Sequence, residues 1–204
     1  ASGDVTGRWK TGGLAGDIDG GKVKESYALG NVMIDRDEFG GGLIGYCWQA
    51  EVEDCYSKGD VVSIGAGGTC AAGLIGCAED SMVKNSYSKG RVSAESTGEP
   101  TVSGLIGNGD SGTTVLNCYY DKDTSCQTYG WQVSGAEHDG ISGLGTEDMT
   151  HSNLAYHLNE GGSNDIWAWQ MEDNDGYPYL GTPVVKELKY TVKFNRRPPK
   201  ASES

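Results

Sequence analysis

The chain reads as an all-β protein, a β-solenoid of about four rungs of ~30 residues each. A C-terminal cap holding a short helix and a β-hairpin is expected to follow. Three observations predict this. Glycine supplies 33 of 204 residues, against about 7% in an average chain. A pentapeptide recurs as GGLAG, GGLIG, AGLIG and SGLIG around Leu14, Leu43, Leu74 and Leu105, at spacings of 29, 31 and 31 residues. A second signature follows each copy: SYALGNV from Ser26, CYSKGDV from Cys55, SYSKGRV from Ser86 and a degenerate CYYDKDT from Cys118. Linked motifs recurring in register mark units that bury their apolar face only by stacking.

Each element follows from its residues. Between residues 12 and 120 no helical period occurs. Short Val-, Ile- and Tyr-containing segments are bounded by Gly, Asp and Asn, the pattern of strands and turns. In [SC]-Y-[AS]-x-G-x-V every second residue is small or apolar, so these share one strand face and line a narrow interior. Leu14, Leu43, Leu74 and Leu105 are the structural repeat positions that fill it, and the neighbouring glycines supply bends or positive φ. Four-stranded propeller blades fit poorly, because ~30 residues barely hold four strands and their connections. Past the repeats, Thr146-Glu147-Asp148 reads as a helix start, with Leu154 and Leu158 one turn apart, giving a short helix near 147–158. IWAWQM from Ile166, the turn EDNDG and Tyr177–Leu180 complete a hairpin. The expected division is a solenoid at 1–130, a capping segment at 131–183, where Trp131, Trp167 and Trp169 cover the open end, and a tail at 184–204.

Composition excludes several functions. The net charge is −13, which argues against nucleic acid as a partner. No run of about 18 apolar residues exists for a membrane span. Sixteen Tyr and Trp residues are too many for a disordered chain. His138, His151 and His157 form no H-E-x-x-H motif and no G-x-S-x-G occurs, so no enzymatic activity is expected.

Two site readings remain. Tyr27, Tyr56, Tyr87 and Tyr119 form a ladder pointing outward or into a corner. Left open, the stripe offers ring faces to sugars; covered by loops or the tail, it is structural. Acidic turns, best represented by Asp173 and Asp175, suit a Ca2+ ion or are simply solvated, and no other cofactor is expected. The six cysteines read as mostly free, buried thiols: Cys55 and Cys118 occupy the position of Ser26 and Ser86, and two rungs separate them by more than a disulfide spans.

The tail carries net +4, and Leu188, Tyr190, Val192 and Phe194 alternate with polar residues. It reads as a strand that packs on the chain's own body or leads into a next domain, or as one donated to a neighbour, giving self-association through 186–195.

The paired motifs, over about residues 12–120, resemble the GLUG repeat. That family is found in bacterial cell-surface and adhesin-like proteins of gut Bacteroidetes and in the non-catalytic part of some IgA-cleaving metallopeptidases. The resemblance implies an extracellular or surface protein, although the sequence from Ala1 shows neither signal nor anchor. It implies a non-enzymatic adhesion or interaction module binding a host or microbial glycan or surface protein, or a stalk presenting one. The alternatives are a fibre subunit assembling through the C-terminal strand and a β-helix carbohydrate-active enzyme.

Overall fold

A computed structural model of the chain describes residues 1–36, 38–65, 68–95, 99–133 and 136–181. The tail and its expected strand lie outside the described residues.

The repeats form a parallel β-solenoid of about four turns. Each turn visits three faces in the same order. The first face stacks Val5–Gly7, Val32–Ile34, Val61–Ser63 and Val92–Ala94. The second stacks Thr11–Gly12, Phe39–Gly41, Cys70–Ala72 and Thr101–Ser103. The third is longest. Ala15–Ala28 pairs with Ile44–Ser57, and later turns break this stretch into shorter strands that keep its register, ending on Ile141–Leu144.

The pentapeptide joins the turns. The Leu14 amide donates to the Leu43 carbonyl, Leu43 to Leu74 and Leu74 to Leu105, each at 2.9 Å. Leu43, Leu74 and Leu105 are fully buried, while Leu14, on the first turn, remains 43% exposed. Its glycines act by close approach rather than by positive φ: a Cβ on Gly42 would overlap the Gly73 carbonyl, and one on Gly73 the Gly104 carbonyl. The long face is instead bent by side-chain-bearing residues in the left-handed region, at Gln49 and Asp80 and at the column Glu25, Asp54, Asn85 and Asn117. Asp and Asn tolerate this conformation better than most residues.

The strand parity is as expected. Val32, Val61 and Val92 and the small residues Ala28, Ser57 and Ser88 are buried in the coil. Tyr120 stands in register with Ser88 and fills the interior of the last turn. This explains the degenerate fourth signature: its extra tyrosine plugs the end together with Trp131 and Ile141. Cys55 and Cys118 are fully buried and all six thiols are free, with Cys126 exposed.

The expected helix is two. After the short helix α1 (Lys122–Ser125), α2 (Thr146–Met149) and α3 (Ser152–Leu158) are separated by Thr150 and His151, and the extended backbone and ring nitrogen of His151 cap α3 at the Asn153 amide. The hairpin pairs Trp167–Ala168 with Tyr179–Leu180. Of the three tryptophans expected at the coil's end, only Trp131 lies there. Trp167 and Trp169 pack on its side, because the apolar surface that needs cover is the outward tyrosine column.

Candidate functional site

The tyrosine ladder exists. Tyr27 and Tyr56 stack with ring centroids 4.9 Å apart, and Tyr56 and Tyr87 follow at 5.1 Å. It is not an open stripe. Met149, Leu154, Leu158, Trp167 and Tyr177 close over it, leaving Tyr56 at 4% and Tyr87 at 0% exposure. Tyr119 is half-buried, its hydroxyl donating to Asn117, and only Tyr27 stays exposed. Large outward rings are expensive to leave in water, and the cap removes that cost for the two central ones.

Residues flanking each tyrosine by two positions face the same way and grip the cap. Before the tyrosine, Asp54 accepts from the Trp167 indole at 3.0 Å, Asn85 donates to Glu160 and Asn117 donates to the His157 carbonyl. After it, Lys58 donates to Asn174 and Asp175, Lys89 lies over the Tyr177 ring, and Asp121 accepts from the Tyr177 hydroxyl at 2.6 Å. Burial raises the Asp54 carboxyl above its usual range. Lys58 and Lys89 hold Asp175 below its own. The acidic turn expected to suit calcium thus binds the lysine column, with Asp173 beginning its 3-10 turn. Among the described residues no group of three or more His, Cys, Asp or Glu is placed to hold a metal ion.

Two of the three histidines make packing and capping contacts. His138 stacks on Trp131 at 4.9 Å and accepts from the Gly140 amide. His151 caps α3 and stacks on Trp169. A cavity of about 380 Å³ between the last turn and α3 is lined by Tyr119, Asp148, His151 and His157 among others.

A different surface is open. Along the first part of the long face the outward positions are Asp17 and Asp19, Tyr46 and Trp48, then Cys77, which is covered by its neighbours, and Glu79, in register turn by turn. Trp48 therefore stands between Asp19 and Glu79, one rung spacing of about 4.8 Å from each. Beside it, Tyr46 donates its hydroxyl to Glu79 at 2.7 Å, which pushes the phenol pKa up. Phe39 packs against Tyr46 with centroids 5.7 Å apart, and the Lys10 ammonium sits 3.7 Å over the same ring while bonding Asp17. Trp9 is 66% exposed, and the groove beside it, about 440 Å³, is lined by Trp9, Lys10, Gly16, Asp17 and Glu38. Sequence reasoning passed over this surface because its aromatic residues occur in single turns. The available signal was the alternation Tyr46-Cys47-Trp48 directly after a GLIG motif, which puts both rings on the outer face.

These features define a parallel β-solenoid repeat protein with a laterally docked cap. Residues 67–93, which span one copy of the repeat, match the family model described as the GLUG motif, so the chain carries a GLUG repeat. No curated protein and no solved structure matches it.

Proposed function

We propose that the chain is a non-enzymatic, extracellular adhesion module that holds glycans on the Trp9–Tyr46–Trp48 surface. The observation that carries this reading is an exposed indole flanked on both sides by carboxylates in neighbouring turns. A sugar ring presents an apolar C–H face and a rim of hydroxyls. The indole takes the first, and Asp19 and Glu79 accept hydrogen bonds from the second. With Asp17, Asp19, Glu38 and Glu79 on this surface and a net charge of −13, the preferred ligands are neutral or amine-bearing sugars rather than sialylated or sulfated ones. The surface setting rests on the resemblance of the repeats to those of bacterial adhesin-like proteins.

A glycan array followed by calorimetry tests it. Trp48→Ala and Trp9→Ala are each expected to weaken binding about tenfold, roughly 1.4 kcal/mol. Failure of the parent chain to bind any neutral or amine-bearing glycan, or binding indifferent to both substitutions, would overturn the reading.

A further inference from the structure

The tyrosine column stops one position short of the sheet that carries it. Tyr27, Tyr56, Tyr87 and Tyr119 stand in register turn by turn, and the next strand, Ile141–Leu144, sets Ser142 beside Tyr119. Tyr119 also leaves the stack. Tyr87 stacks on Tyr56 and, at 6.2 Å with 13° between the planes, on Tyr177 of the cap. The Tyr119 hydroxyl donates to Asn117 at 2.6 Å, and the Asn117 amide donates in turn to Asn85 and to the His157 carbonyl, both at 2.7 Å. Tyr119 is thus fixed and half-buried, and among the described residues no other ring stacks on it. The cavity of about 380 Å³ lies at this point of the column, where Ser142 stands in place of a fifth ring.

We propose that this cavity is a second carbohydrate site, which takes one neutral or amine-bearing pyranose ring in the place of the missing fifth ring. Tyr119, Leu144 and Leu154 give the cavity an apolar side for the C–H face of the sugar. Ser142, Asp148, Asn153, His151 and His157 give it a polar side. Among the described residues the side chains of Ser142, Asp148, Asn153 and His157 make no hydrogen bond, so their donors and acceptors are open to sugar hydroxyls. His151 accepts from the Asn153 amide through Nδ1 at 3.2 Å, which leaves Nε2–H as its donor. A purely aromatic ligand would meet the apolar side and leave the polar groups it covers unpaired, whereas a polyhydroxylated ring meets both. Asp148 is the one carboxylate among the described lining residues and no Lys or Arg joins it, so sialylated and sulfated sugars are disfavoured. The bond to Asn117 holds the Tyr119 ring in place beforehand, so binding does not have to order the stacking surface. The site shares no residue with the Trp9–Tyr46–Trp48 surface and does not depend on that surface binding sugar.

Saturation-transfer NMR on the full 204-residue chain tests this with methyl hexopyranosides, methyl N-acetylhexosaminides and methyl glucosaminide as probes. The chain carries Trp9→Ala/Trp48→Ala throughout, so that binding here is separated from binding at the first turns. At least one probe is expected to bind with a Kd on the order of 1 mM. Ser142→Tyr, which restores the fifth ring and fills the cavity, and Tyr119→Ala, which removes the stacking face, are each expected to weaken that binding by about tenfold. Absence of binding by every probe, or binding unchanged by both substitutions, overturns the proposal. So does a cavity that takes phenol or indole, is blocked by Ser142→Tyr and binds none of the sugars. Should either substitution abolish the β-sheet circular dichroism, chemical-shift mapping in the Trp9→Ala/Trp48→Ala background decides instead. Sugar-dependent shifts of the Tyr119 ring and His157 imidazole signals support the site, and shifts confined to other residues refute it.

Discussion

Single atoms decide where glycine is required. In the column Gly3, Gly30, Gly59 and Gly90, a Cβ on Gly59 would overlap the Gly30 carbonyl and one on Gly90 the Gly59 carbonyl, whereas a Cβ on Gly3 meets nothing within 4 Å. Gly59→Ala is therefore expected to destabilise by about 2–3 kcal/mol through forced separation of turns, and Gly3→Ala to be near neutral; urea unfolding of both compares the same repeat position with and without a turn beneath it. Asp54 carries a second residue-level expectation. Its folded pKa is raised by burial, against the lowering effect of the Trp167 indole bond. Folding thus favours the protonated form. The ionisation penalty is absent below the ordinary Asp value near 4, grows as pH rises through the raised folded value, and is constant above it. Asp54→Asn keeps the acceptor oxygen and the left-handed preference, as the repeat itself does with Asn85 and Asn117. It is expected to be more stable than the parent at pH 7, with the gain vanishing in melts below pH 4.

At the scale of elements, the cap is held by side chains spaced two apart on each strand, at 54, 56 and 58 and again at 85, 87 and 89. Trp167 touches both buried tyrosines, at centroid distances of 5.9 and 5.6 Å, and its indole reaches Asp54. Trp167→Ala should cost about 3–5 kcal/mol of cap docking, seen as faster amide exchange over 146–180 with the Leu43, Leu74 and Leu105 amides unchanged. Equal acceleration in both regions would show that cap and coil unfold as one unit. The face on which the tyrosines lie was legible in the period of two. Their cover was not, since it depends on packing between residues such as Asp54 and Trp167, 113 positions apart. For the same reason the acidic turn read as an ion site: Asp175 meets Lys58 only through the folded cap.

The whole molecule is a thin coil whose interior is made of Leu, Ile, Val and Cys columns with little bulk. Burial pushes the Cys55, Cys77 and Cys118 thiols up to about 12 and Cys47 to about 11. Thiol titration at pH 8 is expected to modify exposed Cys126 rapidly and the inward-facing Cys47, Cys55 and Cys118 only on global unfolding. Rapid native-state labelling of Cys55 or Cys118 would contradict the closed interior.

The sequence by itself determined the coil: the 29- to 31-residue period, the inward small residues and the leucine columns follow from local chain geometry repeated in register. It also determined that the tyrosines point away from the interior, since alternation is a property of the strand. Only the tertiary structure decided which outward rings stay in water. Tyr56 and Tyr87 are covered because the cap folds back onto the side of the coil, while Trp9 and Trp48 remain exposed at the first turns. The reason is physical: a repeat specifies contacts between neighbouring turns, and the cap's contacts run to residues far away in the chain, to which no period points.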